Sequence, residues 1–407
     1  MVFGQALLIM STPLLTRLYT PEEFGLFAIF GTFMSIGATM IALRYELAIP
    51  LERNERAAAA LVAGAGLTSA SISLLSCLLL WLWGAELATF LGVPDLAPLL
   101  WLLPPCLMFW GIGSGLSFWL VRKSSFRLNG INRIVHFGTQ AGGQLAFGLA
   151  GASGSGLILG YAAGYLARLI HLLLALPQVE IRKFCRPSLA EIGRELRSYW
   201  RYPVFSASSA ALQAACIMLP AVLVATLYGP AMAGFFALAQ RAVALPLRLL
   251  GESASQVFLG EIRDRDHAGL IRLFKRVAAL FAGLGLIVLL PLAWVGPWLF
   301  SFVFGEAWQE AGIIFQLLAP LYLTRLLVTP ISQTLNVLDR QDLHLWFAVI
   351  NALTLIMSFT AGWWLELGVH WTIGLFSVMS SMTFVFTIAV TWRVLRRGGW
   401  QTLHREE

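Results

Sequence analysis

The sequence has few charged residues for its length. Only 12% of its 407 residues are Asp, Glu, Lys or Arg, whereas 58% are hydrophobic. Soluble domains carry roughly a quarter charged residues, so this scarcity excludes an ordinary soluble protein. A membrane-spanning helix takes about 20 mostly apolar residues. The chain therefore has room for about a dozen spans and little mass outside the bilayer.

Residues that build disulfides and metal sites are also scarce and scattered. The histidines stand alone, without the spacing of metal ligands, and no Cys-x-x-Cys pair is present. The sequence therefore predicts neither disulfides nor a bound metal or cofactor. The four cysteines are Cys77, Cys106, Cys185 and Cys216.

Long apolar runs are what the sequence has in abundance. Polar residues, proline and glycine separate them into twelve segments, which predict an all-α polytopic membrane protein of about twelve transmembrane helices. The runs lie at about 1–16, 24–50, 57–83, 96–120, 131–150, 154–177, 203–227, 231–257, 277–300, 311–337, 343–365 and 370–392.

The distribution of basic residues supports this helix count. Lys and Arg collect in the cytoplasmic loops of membrane proteins. If the N terminus is cytoplasmic, the even-numbered connections carry clusters of Arg and Lys, whereas the odd-numbered ones carry one basic residue, Arg17. A wrong helix count would scramble that alternation. We therefore expect both termini to lie in the cytoplasm.

A basic segment and an internal repeat divide the chain in two. The segment 178–202 is predicted to be a cytoplasmic interfacial linker between two six-helix bundles, 1–177 and 203–392, and 393–407 to be a cytoplasmic tail. The pattern Leu-Tyr-x-Pro-x-x-x-Gly at 18–25 recurs at 227–234, an offset of 209 residues (227 − 18). Because each half has an even number of helices, both halves have the same orientation.

Charged residues predicted at bilayer depth are the candidate functional residues, because such residues by default mark a transport pathway or binding cavity. Arg241, Arg248 and Glu252 fall on one stripe of the eighth helix, roughly 40° wide. Guanidinium groups bind phosphate bidentately, so we expect Arg241 and Arg248 to bind an anionic head group. The alternative is that Arg248 and Glu252 form an i, i+4 pair that packs against a neighbouring helix.

Other intramembrane arginines allow two interpretations each. Arg325 lies between Pro320 and Pro330 on the tenth helix, and it either binds substrate or is satisfied by carbonyls that the prolines free. Arg168 lies near the inner end of the sixth helix, where it either has a function or extends to the head groups.

Two further sites lie near predicted helix ends. Arg44 and Glu46 close the second helix, and on an α-helix they point about 200° apart, so that one of them could face a cavity. Arg17 either guards an outer vestibule or pairs with the adjacent Glu22 and Glu23. Glu46 and Glu252 are the candidate titrating groups.

Several stretches of the sequence resemble one known family. They are PLLTRLYTPEEFG at 13–25, LRYELAI at 43–49, YPVF at 202–205, AGFFALAQR at 233–241 and QVF at 256–258. These stretches are similar to Wzx-type polysaccharide flippases of the multidrug/oligosaccharidyl-lipid/polysaccharide exporter superfamily, and the similarity extends over the whole chain.

The resemblance implies a MATE-like architecture of two six-helix bundles around a central cavity in the bacterial inner membrane. It implies transport by alternating access of an undecaprenyl-pyrophosphate-linked oligosaccharide from the cytoplasmic to the periplasmic leaflet. The expected partners are this lipid-linked oligosaccharide, membrane lipids and other membrane proteins of polysaccharide assembly, and no nucleic acid. The cations expected along the route are Arg17, Arg44, Arg241, Arg248 and Arg325.

Three alternatives remain at this point. A multidrug or metabolite exporter of the same superfamily would favour acidic residues in its cavity, whereas the intramembrane charges here are mostly arginine. A flippase for a lipid-linked peptidoglycan precursor would differ only in substrate. A membrane enzyme of polysaccharide assembly would need larger outer loops or a His/Asp/Arg cluster, so we expect no enzymatic activity.

Overall fold

The computed structural model describes residues 2–243, 267–332 and 341–396, and in these ranges the chain is helical and contains no strand. The described residues form sixteen α-helices. They are α1 (Val2–Leu18), α2 (Pro21–Met40), α3 (Glu55–Phe90), α4 (Ala97–Leu100), α5 (Leu103–Arg122), α6 (Phe126–Leu149), α7 (Ser155–Ala175), α8 (Gln178–Cys185), α9 (Leu189–Ser198), α10 (Ser208–Tyr228), α11 (230–243), α12 (His267–Trp294), α13 (Gly296–Phe304), α14 (Gln309–Ile331), α15 (Gln341–Trp364) and α16 (Val369–Arg396).

Each of the twelve predicted apolar runs contains a helix or part of one among the described residues. Within the described ranges, nine helices are long and apolar enough to cross a membrane. The runs that are not among the nine correspond to α1, which is shorter, α6, which carries a polar stripe, and α11, which is described only to residue 243. The predicted all-α polytopic class is confirmed, whereas the cytoplasmic position of the termini stays a prediction.

Local sequence signals account for where several helices begin. Thr20 accepts a hydrogen bond from the backbone N–H of Glu23, and the Glu23 carboxylate accepts one from the backbone N–H of Thr20. This reciprocal capping box, together with Pro21 in the first turn, satisfies backbone donors that a helix start leaves free. Ser188 and Glu191 cap α9 in the same way.

The second predicted helix ends earlier than expected, and this corrects the geometry assumed for Arg44 and Glu46. The chain leaves α2 at Met40, and a 3₁₀ turn covers Tyr45–Ala48. Between them, Leu43 (φ 50°) and Arg44 (φ 62°) are both in the left-handed region, which L-residues adopt at a cost of about 1–2 kcal/mol each. The 200° separation of an α-helix therefore does not apply to this pair.

The two copies of the internal repeat contact each other. A Cβ atom added to Gly25 would lie 1.8 Å from the carbonyl oxygen of Pro230, and one added to Gly234 would lie 1.9 Å from the carbonyl oxygen of Pro21. The proline of each copy thus packs on the glycine of the other. Only glycine allows two backbones to approach this closely. α2 and α11 therefore touch at their N-terminal ends through equivalent residues.

Contacts divide the chain into two compact units, one ending at Gly234 and one beginning at Phe235. The first contains α1 to α10, and in it α6 packs closely on α7. The second contains α12 to α16, in which α14 packs against α12, α13 and α16. The division at 178–202 that the sequence suggests stays a prediction.

The basic linker is helical and packs within the first unit. Glu55, at the start of α3, forms ion pairs with Lys123 (2.9 Å) and with Lys183 of α8 (2.7 Å). The indole nitrogen of Trp119 donates to Glu180 of α8 at 3.0 Å. α8 is therefore held against the ends of α3 and α5.

The second linker helix is held by contacts of its own. Arg56 pairs with Glu191 at 2.8 Å, and the Tyr199 hydroxyl donates to Glu52 at 2.8 Å. The backbone N–H of Asn54 and this hydroxyl lower the pKa of Glu52. These hydrogen bonds to the Glu52 carboxylate therefore stabilise the folded protein above the ordinary carboxyl pKa. That stabilisation is lost as the pH falls through the lowered pKa of Glu52.

Replacing Glu55 with glutamine should loosen α8, because both lysines lose their shared carboxylate. The pairs are partly exposed, so each contributes roughly 0.2–1 kcal/mol. We expect amide hydrogen exchange in α8 to become about two- to fivefold faster. Glu86→Gln is the matched control, because Glu86 is exposed on the same helix and forms none of the described ion pairs. Unchanged exchange in Glu55→Gln would show that these ion pairs do not hold α8 in place.

Candidate functional site

The first unit contains an arginine inside its helical bundle. Arg168 of α7 points towards α5, where its guanidinium donates to the Ser117 hydroxyl at 3.0 Å and to the Gly113 carbonyl at 3.4 Å. It also lies over the Trp110 ring, 4.5 Å from the centroid. Arg168 therefore points into the protein and does not extend along the helix towards its end.

No carboxylate of the described residues pairs with Arg168. Its partners are a hydroxyl, a carbonyl and an aromatic face, all of them neutral. A guanidinium keeps its charge under all physiological conditions, and an intramembrane charge is costly without a counter-charge. The site therefore retains the capacity to bind an anion.

Aromatic rings surround this cation. Trp110 packs edge-to-face with Tyr165 (5.7 Å between centroids), and Tyr165 packs in the same way with Tyr161 (4.9 Å). The hydroxyls of the two tyrosines are hydrogen-bonded at 2.9 Å. Trp110 donates its indole N–H to the Ala38 carbonyl of α2 at 3.1 Å. The rings link α2, α5 and α7 around Arg168.

A ladder of buried polar side chains on α6 faces α7. Asn132, His136, Gln140 and Gln144 are four residues apart and are all buried. Three of them have a side-chain atom with no hydrogen-bond partner among the described residues: Nδ2 of Asn132, Nδ1 of His136 and Oε1 of Gln144. An unpartnered buried polar atom costs roughly 1–3 kcal/mol. Such a row is costly for stability alone and is typical of a polar site.

Glycines of α7 make the ladder possible. A Cβ atom on Gly160 would lie 2.4 Å from the backbone nitrogen of Gln144, and one on Gly164 would lie 2.9 Å from the His136 carbonyl oxygen. Because α7 has no side chain at these points, α6 packs directly on its backbone. His136 is consequently in ring contact with Tyr165, at 4.6 Å.

The strained turn after α2 holds two of the predicted site residues. Glu46 is buried and its Oε2 atom has no partner among the described residues, and the same holds for Nε of half-buried Arg44. Strained backbone conformations of this kind cluster at functional sites and switch regions. The turn therefore brings an acid and a base together.

The second unit has its own intramembrane arginine. Arg325 is half-buried on α14, and its side chain makes neither an ion pair nor a hydrogen bond with the described residues. One turn earlier, the buried Tyr322 hydroxyl also has no hydrogen-bond partner in the described ranges. No described carbonyl accepts from the guanidinium, so the interpretation that carbonyls freed by the prolines satisfy Arg325 gains no support.

The other predicted residues are placed as follows. Arg241 is half-buried on α11, and Arg17 is exposed in the last turn of α1. Arg17 forms no ion pair with Glu22 or Glu23. Arg248 and Glu252 lie outside the described residues.

Sequence reasoning missed the polar ladder and gave Arg168 little weight. A signal was present, since Asn132, His136, Gln140 and Gln144 recur at every fourth position and therefore share one face of a helix. The rings around Arg168 give no such signal, because Trp110 and Tyr165 meet only through the packing of α5 on α7.

The comparisons with known proteins identify a family from the sequence and a fold from the structure. The sequence model of a family described as polysaccharide biosynthesis protein matches residues 14–312. None of the curated proteins matches the sequence.

Three of the similar solved structures are transporters. An inward-facing multidrug resistance MATE family transporter of the MOP superfamily gives a TM-score of 0.73 at 12% identity, with 97% of this chain and 96% of that chain covered. The lipid II flippase MurJ in an inward closed conformation gives 0.73 at 12% identity, covering 98% and 90%. A MOP superfamily transporter from Pyrococcus furiosus gives 0.57 at 12% identity, covering 97% and 92%. At these identities the likeness establishes the fold alone, and it confirms the MATE-like class.

Proposed function

Because this chain belongs to the family of polysaccharide biosynthesis proteins, we propose that it is a flippase for lipid-linked oligosaccharides. Its cargo is an undecaprenyl-pyrophosphate-linked repeat unit, which it moves from the cytoplasmic to the periplasmic leaflet of a bacterial inner membrane. The protein is a transporter and catalyses no bond change.

The observation that carries this proposal is the pair of intramembrane arginines without a carboxylate partner. Arg168 in the first unit and Arg325 in the second keep their charge with no acid beside them among the described residues. A cation held in this way suits a cargo that supplies the negative charge itself. A pyrophosphate does so, and it must pass through the low-dielectric part of the membrane.

The remaining residues have roles in the same proposal. The guanidinium groups of Arg17, Arg44, Arg241, Arg248 and Arg325, together with that of Arg168, bind the pyrophosphate in turn, as arginine forks bind phosphate. Glu46 and Glu252 are the groups whose titration would couple transport to an ion gradient. Alternating access would arise from relative motion of the two proposed six-helix bundles, 1–177 and 203–392.

The favoured alternative within the same chemistry is a flippase for a lipid-linked peptidoglycan precursor. Its cargo also carries a polyprenyl pyrophosphate, so the arginines suit both. The two cargoes differ in their glycan, so the chemical identity of the glycan decides between the two functions.

The test is mass spectrometry of polyprenyl-pyrophosphate glycans from cells with and without the gene. We expect one lipid-linked repeat unit to accumulate in the deletion strain and the surface polymer to be lost. Build-up of a peptidoglycan precursor would favour the alternative. An unchanged lipid pool would contradict both and point to a drug or metabolite exporter.

A further inference from the structure

The linker helices α8 and α9 have two chemically different sides. Their inner side carries the ion pairs to Glu55 and Arg56 and the apolar contacts to α3 and α5. The outer side carries exposed arginines that form no ion pair within the described part of the chain. These exposed residues are Arg182, Arg186, Arg194, Arg197 and Arg201.

Of the three acids in the linker, two form ion pairs with basic residues and the third, Glu195, is half-buried. Glu180 pairs with Lys183, and Glu191 pairs with Arg56. On α9, Arg194 and Arg197 lie three residues apart, which puts them about 60° apart on one face of the helix. The outer side is therefore a concentrated positive surface, here called the arginine face and defined by the five arginines above.

The arginine face is held at the membrane surface from both ends. The span Ser155–Ala175 ends just before α8, and the span Tyr202–Tyr228 begins directly after Arg201. The ion pairs and the Trp119–Glu180 hydrogen bond prevent α8 and α9 from moving away. A charged surface so close to the bilayer lies within about one Debye length of the lipid head groups, roughly 8 Å in physiological salt.

Exposed apolar side chains accompany the arginines. Leu189 at the start of α9 is 78% exposed, and Trp200 and Phe205 at the start of the next span are 50% and 63% exposed. The rings of Trp200 and Phe205 lie 6.1 Å apart. Tryptophan and other apolar groups beside basic residues are typical of segments that rest in the head-group layer.

We infer that the arginine face binds the head groups of anionic phospholipids in the leaflet on which the linker lies. The ligand is a phosphodiester lipid with net negative charge, such as phosphatidylglycerol, and a zwitterionic lipid of the same chain length binds more weakly. This binding is independent of the cargo, because none of the five arginines belongs to the proposed transport route.

The test uses the purified full-length chain and two lipid probes, phosphatidylglycerol and phosphatidylcholine, with bound lipids counted by native mass spectrometry. Each arginine near an anionic surface contributes about a fivefold factor to binding. The double variant Arg194→Gln/Arg197→Gln is therefore expected to bind phosphatidylglycerol on the order of tenfold or more less tightly. Its affinity for phosphatidylcholine should not change.

The matched control removes two other exposed arginines, Arg53→Gln/Arg127→Gln, and should keep phosphatidylglycerol binding within about twofold. If the first double variant unfolds at a lower temperature in phosphatidylcholine, Arg182→Gln/Arg186→Gln on α8 takes its place. The inference is overturned if the linker variants bind phosphatidylglycerol like the unaltered chain. It is equally overturned if the control loses as much, or if the unaltered chain does not distinguish the two lipids.

Discussion

Replacing Gly25 with alanine is expected to lower the thermal stability of the protein by several degrees and to reduce transport strongly. The added Cβ atom would lie 1.8 Å from the Pro230 carbonyl oxygen, whereas carbon and oxygen normally approach no closer than about 3.3 Å. The nearest atoms that this Cβ would meet all belong to the Pro230 backbone, so no side chain can rotate away. Overpacking of this kind costs about 1–3 kcal/mol and occasionally more.

The same helix provides the control for this substitution. A Cβ atom on Gly31 would meet nothing within 4 Å, so Gly31→Ala should be neutral or slightly stabilising, because alanine favours a helix by about 1 kcal/mol over glycine. Gly234→Ala should reproduce the effect of Gly25→Ala through Pro21. The measurements are thermal unfolding in detergent and uptake into reconstituted vesicles. Equal stability of the Gly25 and Gly31 variants would refute the close contact.

Replacing Arg325 with glutamine is expected to reduce transport on the order of tenfold to a hundredfold while the protein still inserts and folds. Charge-assisted hydrogen bonds contribute about 1.5–3 kcal/mol. The Arg325 guanidinium has no described hydrogen-bond partner, so it can donate such bonds to the cargo. Since no described ion pair is broken, folding should change little. Arg325→Lys should restore part of the activity, because it keeps the charge and loses the bidentate geometry.

The control for Arg325 is Arg276→Gln, because Arg276 is an exposed arginine of α12 in the same unit. The readouts are the level of lipid-linked repeat unit in cells and the rate of flipping in vesicles at saturating and limiting cargo. A loss confined to limiting cargo would indicate ground-state binding. Wild-type transport by Arg325→Gln would remove Arg325 from the pathway.

The helices were largely predictable from the sequence. The sequence predicts a helix over 311–337, and α14 occupies Gln309–Ile331 of the described chain. Transfer of an apolar run into lipid depends on its own composition, and its backbone must form a helix there because no water satisfies it. The end of α2 was not predictable, since two consecutive left-handed residues, Leu43 and Arg44, terminate it without glycine.

The candidate site was predictable only in its residue types. An arginine within a long apolar run is visible in the sequence, and Arg325 is predicted to be a site residue for this reason. Whether such an arginine has a counter-charge depends on residues far along the chain. Arg168 illustrates this, because its partner Ser117 is 51 residues away.

The internal repeat illustrates both what the sequence determines and what only the tertiary structure decides. The sequence by itself determined that 18–25 and 227–234 share a pattern. It also determined the membrane class, the approximate spans and the number of basic residues, because these depend on composition and on the order of neighbouring residues. Only the tertiary structure decided that Gly25 packs on Pro230 and Gly234 on Pro21, and that Arg168 lies on Trp110. The physical reason is that hydropathy and helix formation are properties of neighbouring residues, whereas backbone approach and charge pairing are set by how distant helices pack.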